Sequence, residues 1–154
     1  MKTDSKKTLI AYFSHAGENH VNGAMKHLEI GNCKVAAQMI QEITGGDLFY
    51  INTVFKYPGN HLEKINRAKE ELTKQVRPEL TEQVQHMENY EVVFLVYPNW
   101  WGTCPMAVFT FLESYDFTGK KIAPICTHEG SGLSTSVSDI TKICGADVLK
   151  PLAI

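Results

Sequence analysis

Five short apolar runs, each separated from the next by a stretch with helical spacing, restrict this chain more than any other feature. Thr8 to Phe13, Leu48 to Ile51, Val92 to Tyr97 and Ile122 to Cys126 are rich in β-branched or aromatic residues, and Val148 to Ile154 is a fifth such run. Runs that are apolar on both faces suit the central strands of a parallel sheet, which helices bury from both sides. The intervening segments supply the helices. Val35, Ala36, Met39, Ile40 and Ile43 form an apolar stripe ended by Gly45-Gly46. Leu62, Ile65, Ala68, Leu72 and Val76 form a weaker one, with Glu63, Lys64, Glu70 and Glu71 expected to face water and Pro78 as its stop. Pro105 opens a third stripe through Val108, Phe109, Leu112 and Tyr115. A fourth runs from about Ser134 through Val137, Ile140, Ile143 and Cys144 to Gly145. Strand and helix alternate to the end, which predicts an α/β doubly wound parallel sheet with helices on both faces. There is no repeat, linker or low-complexity tract, so residues 1–154 are read as one domain.

Composition excludes several function classes. The net charge of −2 leaves no basic footprint for nucleic acid. The longest apolar runs are five or six residues, far short of a membrane span. The N-terminal MKTDSKKTLIAYF has lysines before an apolar stretch, but that stretch is short and lacks a small-residue cleavage site, so a cytoplasmic start is expected. Cys33, Cys104, Cys126 and Cys144 include no C-x-x-C pair and are read as reduced thiols. The six histidines include no H-E-x-x-H pattern, and no metal site is expected.

Ligands in doubly wound sheets bind beyond the carboxyl ends of the strands, so the loops there carry the function. Three are distinctive: SHAGENHVNG, PNWWGTCP and THEGSG. In the first, Ser14, His15 and Ala16 are small or polar and let backbone N–H groups approach an anion. Gly31-Asn32-Cys33 follows just before the first helix, whose positive N-terminus favours phosphate. Asn32 equally suits a helix cap with no ligand. The residues between Gly17 and Ile30 are too many for a strand-to-helix turn and read either as a flap or as surface elaboration. Neither G-x-G-x-x-G nor G-x-x-x-x-G-K-[ST] is present.

The second loop holds the only two tryptophans, Trp100 and Trp101, between Pro98-Asn99 and Gly102-Thr103. Indoles in a turn are costly to leave in water. A planar ligand stacked on either one would cover it, as would a partner surface; the phosphate-like loop at the same end favours the ligand. The third loop, Thr127-His128-Glu129-Gly130-Ser131-Gly132, suits backbone contacts to a ring edge, and His128 with Glu129 is either an acid–base pair or merely solvated. A phosphate seat, an aromatic wall and a Gly-rich clamp together describe a site for a phosphorylated planar heterocycle such as FMN.

These motifs resemble the flavodoxin family, and within it the flavodoxin-like reductases. The matching residues are Tyr12-Phe13-Ser14, Tyr97-Pro98 with Trp100-Trp101-Gly102-Thr103 and Pro105, and Thr127-His128 with Gly130-Ser131-Gly132. The resemblance implies strand order 2-1-3-4-5 and non-covalent FMN. It implies a cofactor-binding set of Ser14, His15, Ala16, Asn32 and Cys33 from the first loop, Pro98 to Thr103 from the second, and Thr127 to Gly130 with Gly132 from the third. The chain departs from the family in three ways. An insertion splits the phosphate loop. Cys33 stands where a threonine hydroxyl is usual, a poorer donor and, at a helix N-terminus, a candidate low-pKa redox thiol. The chain stops on the fifth strand, without the helix that normally follows, which invites a homodimer or lower stability.

The expected function is electron or hydride transfer through FMN, from NAD(P)H to a small acceptor such as a quinone, with no essential acid or base to name. The alternatives are an electron-carrier flavodoxin, usually more acidic than this chain, and a non-catalytic binding or regulatory protein that holds FMN weakly or not at all.

Overall fold

The computed structural model describes residues 7–15, 17–21, 24–28, 31–128 and 132–154. Its elements in chain order are β1 (Lys7–Tyr12), β2 (Gly17–Val21), β3 (Ala24–Leu28), α1 (Asn32–Thr44), β4 (Asp47–Tyr50), α2 (His61–Lys74), β5 (Tyr90–Pro98), α3 (Met106–Glu113), β6 (Lys121–Thr127), α4 (Ser136–Ile143), β7 (Asp147–Val148) and β8 (Leu152–Ala153). The main sheet runs β4-β1-β5-β6-β7, with β8 also on β6, and every pairing in it is parallel. Numbered by its principal strands the order is 2-1-3-4-5, as the sequence motifs imply. The expected fifth strand, Val148 to Ile154, is instead two short pieces on either side of Pro151. Proline has no N–H to give to a ladder, and the run breaks there.

Side chains alternate along β1. Leu9, Ala11 and Phe13 enter the larger core with Val93, Leu95, Tyr97, Val108, Phe111, Leu112, Ile122 and Ile140, beneath α3 and α4. Ile10 and Tyr12 enter a smaller core on the opposite face with Val96, Ile125 and, from α1, Cys33 and Ala37. Helices on both faces thus bury strands that are apolar on both sides.

Two helix faces differ from the sequence expectation. On α1 the buried residues are the small Cys33 and Ala37, whereas Val35, Met39 and Ile43 of the expected stripe are exposed, Ile43 by 83%. A helix lying close on a sheet seats small side chains beneath it, and its bulky ones are displaced to the flank. On α2, Lys64 and Glu71 are only 3% and 2% exposed, although charges there were expected to face water, and Leu62 is 62% exposed. Polar partners, one from the preceding loop and one from α2 itself, satisfy Glu71 on this buried face. Tyr57 Oη donates to Glu71 Oε1 at 2.5 Å, and Arg67 Nε donates to Glu71 Oε2 at 3.1 Å.

The caps account for the helix limits. Gly45 takes φ +72° and ends α1 by donating its N–H to the Gln41 carbonyl. Asn60 caps α2 by accepting from Glu63 N–H at 3.0 Å. The residues between Gly17 and Ile30 include an antiparallel hairpin, β2 on β3, closed through Val21↔Ala24.

Candidate functional site

The first turn closes tightly on the start of α1. Phe13 N–H donates to the Val96 carbonyl at 2.9 Å and carries the chain one residue beyond β1. Ser14 Oγ then accepts from Lys34 N–H at 3.2 Å. The expected cap, Asn32, is instead the first helical residue. Gly31 occupies the cap position without a side-chain bond, and a hydroxyl twenty residues upstream supplies it. A Cβ on Gly31 would lie 2.1 Å from Ser14 Oγ and 2.6 Å from the His15 carbonyl oxygen. Its φ of −67° is open to any residue, so glycine is required here by close approach alone. The two halves of the split loop therefore rejoin in space, with the first-turn amides of α1 beside Ser14.

Cys33 does not present its thiol to this seat. It is 2% exposed, Sγ lies 3.2 Å from Thr127 Oγ1, and burial pushes the thiol up to about 12. The expected low-pKa redox cysteine is thus corrected: desolvation outweighs the helix N-terminus. The thiol instead ties α1 to the end of β6. His15 is held from below, with Nε2 donating to the Pro58 carbonyl at 2.8 Å and Nδ1 lying 3.4 Å from Lys64 Nζ. That arrangement leaves Nδ1 as the acceptor, and burial with the Lys64 charge lowers the imidazole pKa.

The second turn is a reversal on two residues. Trp100 N–H donates to the Thr103 carbonyl at 2.9 Å and Thr103 N–H returns to Trp100 at 3.3 Å. Trp101 and Gly102 have φ +57° and +86°, the left-handed pair of a type I′ turn. Asn99 locks the turn. Its Oδ1 accepts from Gly102 N–H at 2.9 Å, and its Nδ2 donates to the Gly132 carbonyl at 2.8 Å and approaches Ser134 Oγ at 3.2 Å. Asn99 N–H also donates to the Thr127 carbonyl at 2.8 Å. Thr135 N–H reaches the Gly102 carbonyl at 3.0 Å, and Thr103 Oγ1 donates to Asp139 Oδ2 at 2.6 Å. The second and third turns are thereby joined to each other and to α4.

The two indoles separate. Trp100 is half-buried and packs edge-to-face on Phe13, at 5.0 Å and 85°, and on Tyr57, at 5.2 Å and 76°. Trp101 is 47% exposed and lies on α2. Its Nε1 donates to the Ile65 carbonyl at 2.8 Å, and Lys69 Nζ sits 5.1 Å from the ring centre. The pair does not form one wall: Trp100 belongs to the first and second turns, whereas Trp101 is tied to the helix.

Pro98 pairs in register with Thr127 at the sheet end, and His128 Nδ1 accepts from Gly132 N–H at 3.0 Å. Ala16, Glu129 and Gly130 lie outside the described residues. Ser14, His15, Cys33, Asn99, Trp100, Gly102, Thr103, Thr127, His128 and Gly132 come together at one end of the sheet. Tyr57, Lys64, Thr135 and Asp139 support them and were not singled out from sequence. The polar pair Thr135 and Asp139, four apart at the start of a helix, was a readable signal; nothing in the local pattern marks Tyr57 or Lys64.

Comparison with known proteins follows the same lines. No curated protein sequence matches the chain. A candidate flavoprotein from Bacteroides eggerthii superposes with a TM-score of 0.80 at 26% identity, covering 97% of this chain and 89% of its own. A candidate flavoprotein from Bacteroides uniformis superposes at 0.74 and 26% identity, covering 98% of this chain and 94% of its own. A flavoprotein from Lactobacillus acidophilus, solved in complex with FMN, has the same fold at 0.71 and 21% identity, covering 97% and 93%. The flavodoxin family profile matches residues 7–154. With a match over that length, this chain belongs to the flavodoxin family.

Proposed function

We infer that the protein binds FMN non-covalently at the carboxyl ends of β1, β5 and β6 and uses it to pass electrons or hydride to a small acceptor. One observation carries the reading: turns from three separate strands are bonded to one another there, through Asn99 to Thr127 and Gly132, Cys33 to Thr127, and Ser14 to Lys34. The donor set fits the group. A phosphate needs a hydroxyl and convergent amides without side-chain bulk. Ser14 and His15, with the backbone of Asn32 and Cys33, form such a seat, and Gly31 keeps Cβ bulk out of it. The FMN-bound fold neighbour supports the choice of ligand.

FMN supplies the redox chemistry when bound, and the protein supplies orientation and electrostatics. The turn Pro98-Asn99-Trp100-Trp101-Gly102-Thr103 would flank one side of the ring, with Trp100 as its aromatic element. Thr127, His128 and Gly132 would form the other side and offer backbone contacts. Asn99 fixes the spacing between the two. A net charge of −2 argues for a reductase of small molecules, with NAD(P)H as donor and a quinone as acceptor, over a carrier that docks basic proteins. Four free, buried cysteines support a reducing compartment, and the reading includes the cytoplasm. Among the described residues no helix is long and apolar enough to cross a membrane.

The test is a visible spectrum of the purified protein and a titration of the apoprotein with FMN. Flavin absorption and saturable 1:1 binding are expected. A colourless protein that ignores FMN would point to the non-catalytic alternative. Steady-state NAD(P)H oxidation, with and without a quinone, then distinguishes reductase from carrier.

A further inference from the structure

A second cavity lies beside the first turn, on the β4 side of Ser14. It measures about 190 Å³, and Phe13, Ser14, His15, Tyr50, Asn52, Lys56 and Tyr57 are among the residues that line it. None of its walls comes from the start of α1, from the 99–103 turn, or from Thr127, His128 and Gly132. It adjoins the cofactor seat and shares Ser14 and His15 with it.

Its lining combines one uncompensated cation with aromatic walls. Lys56 Nζ donates to Asn52 Oδ1 at 2.9 Å and to the Thr53 carbonyl at 3.0 Å. Both acceptors are neutral. An ammonium carries three N–H donors, so among the described residues one remains unspent and no carboxylate balances the charge. Tyr50 stacks one face on Tyr12, centroids 5.2 Å apart and 13° between planes, yet stays 41% exposed. Tyr57 and Phe13 meet edge-to-face at 5.8 Å behind it. Such walls accept a flat ring, in offset stacking on Tyr50 or edge-on at Tyr57. The volume is below the roughly 300–1,000 Å³ of sites for drug-sized ligands, which limits the occupant to about one ring with one small substituent.

We propose that this cavity binds a small aromatic carboxylate, its ring against Tyr50 and Tyr57 and its carboxylate on Lys56 Nζ. The cavity shares Ser14 and His15 with the residues assigned to the cofactor, whereas Tyr50, Asn52, Lys56 and Tyr57 are assigned to it alone; the proposal places the carboxylate site beside the seat, and competition with FMN is the outcome that tells the two apart.

The test uses benzoate as probe, with cyclohexanecarboxylate as the same charge without a π face and benzyl alcohol as the ring without charge. Titration calorimetry on the full chain should show saturable 1:1 binding of benzoate at about millimolar concentration. Both analogues should bind at least about fivefold more weakly, since each lacks one of the two recognition features. Lys56 is exposed and outside the core, so Lys56→Gln should fold normally and weaken benzoate by about tenfold or more through loss of a charge-assisted bond. FMN titration of the same variant should stay within about twofold of the wild type. Absence of benzoate binding, equal affinity in Lys56→Gln, or competition between benzoate and FMN would each overturn the proposal. The last outcome would make the cavity part of the cofactor seat, and the FMN titration stands whichever way benzoate behaves.

Discussion

Replacing Gly31 by alanine probes the point on which the phosphate seat depends. The added Cβ meets Ser14 Oγ at 2.1 Å and the His15 carbonyl oxygen at 2.6 Å. The serine can rotate away, but it then gives up the bond from Lys34 N–H that caps α1, at a cost of about 1 kcal/mol. The His15 oxygen is backbone and must retreat by roughly 0.5–1 Å to restore ordinary contact, which overpacking data put at about 1–3 kcal/mol. Backbone conformation contributes nothing against alanine, because φ is −67°. The sum, about 2–4 kcal/mol, corresponds to a fall in Tm of about 4–16 °C for a chain of this size. Because the displaced atoms are those of the seat, FMN affinity should fall by at least about tenfold. Gly45→Ala is the control. Its φ of +72° costs alanine about 1 kcal/mol, but no atom lies within 4 Å of the new Cβ and the position is at the far end of α1. It should lower Tm slightly and leave FMN binding unchanged. Thermal denaturation followed by circular dichroism, with flavin fluorescence titration of both variants, measures each quantity. If Gly31→Ala matches the wild type in Tm and FMN affinity, the two halves of the split loop do not meet as described.

Trp100→Ala should lose two edge-to-face contacts and leave a void, destabilising the fold by about 3–5 kcal/mol in urea titration and weakening FMN. Trp101→Ala, which loses one bond to Ile65 and a cation–π contact, should cost about 1–2 kcal/mol and affect FMN less. Glu71→Ala should cost about 3 kcal/mol or more, because it strands the buried Tyr57 hydroxyl and an Arg67 donor; an unchanged urea midpoint would contradict that pairing. Burial raises Cys33 to about 12 and Cys126 to about 11, so at pH 8 the thiolate fraction of Cys33 is on the order of 10⁻⁴. Cys33 should therefore react slowly with Ellman's reagent in the native protein and rapidly in denaturant; fast native labelling mapped to Cys33 would show that it is open to solvent.

Much of the fold was legible because its signals are local. β-Branched and aromatic runs appear as strands at β1, β4, β5 and β6, and Gly45, Gly145, Pro78 and Pro105 lie at or just beyond helix limits. The turns of the candidate site were legible for the same reason: YPNWWG carries its own turn chemistry, with glycine at a left-handed position. Helix faces were read less well. A stripe of large apolar residues was assumed to be the buried one, yet α1 rests on Cys33 and Ala37, and α2 buries Lys64 and Glu71. Burial there depends on how closely each helix approaches its neighbours and on which polar partners reach it from other segments.

What this sequence determined alone is a matter of short-range periodicity: the order of strands and helices, the doubly wound class, and three distinctive turns at strand ends. Tertiary structure decided what needs residues far apart to meet. It brought Ser14 against Gly31 across the inserted hairpin, aimed Trp101 at α2 and away from its neighbour, and buried the Cys33 thiol against Thr127. Hydrogen-bond geometry and desolvation are properties of the assembled neighbourhood, so a side chain's charge state and direction emerge only once distant segments have packed around it.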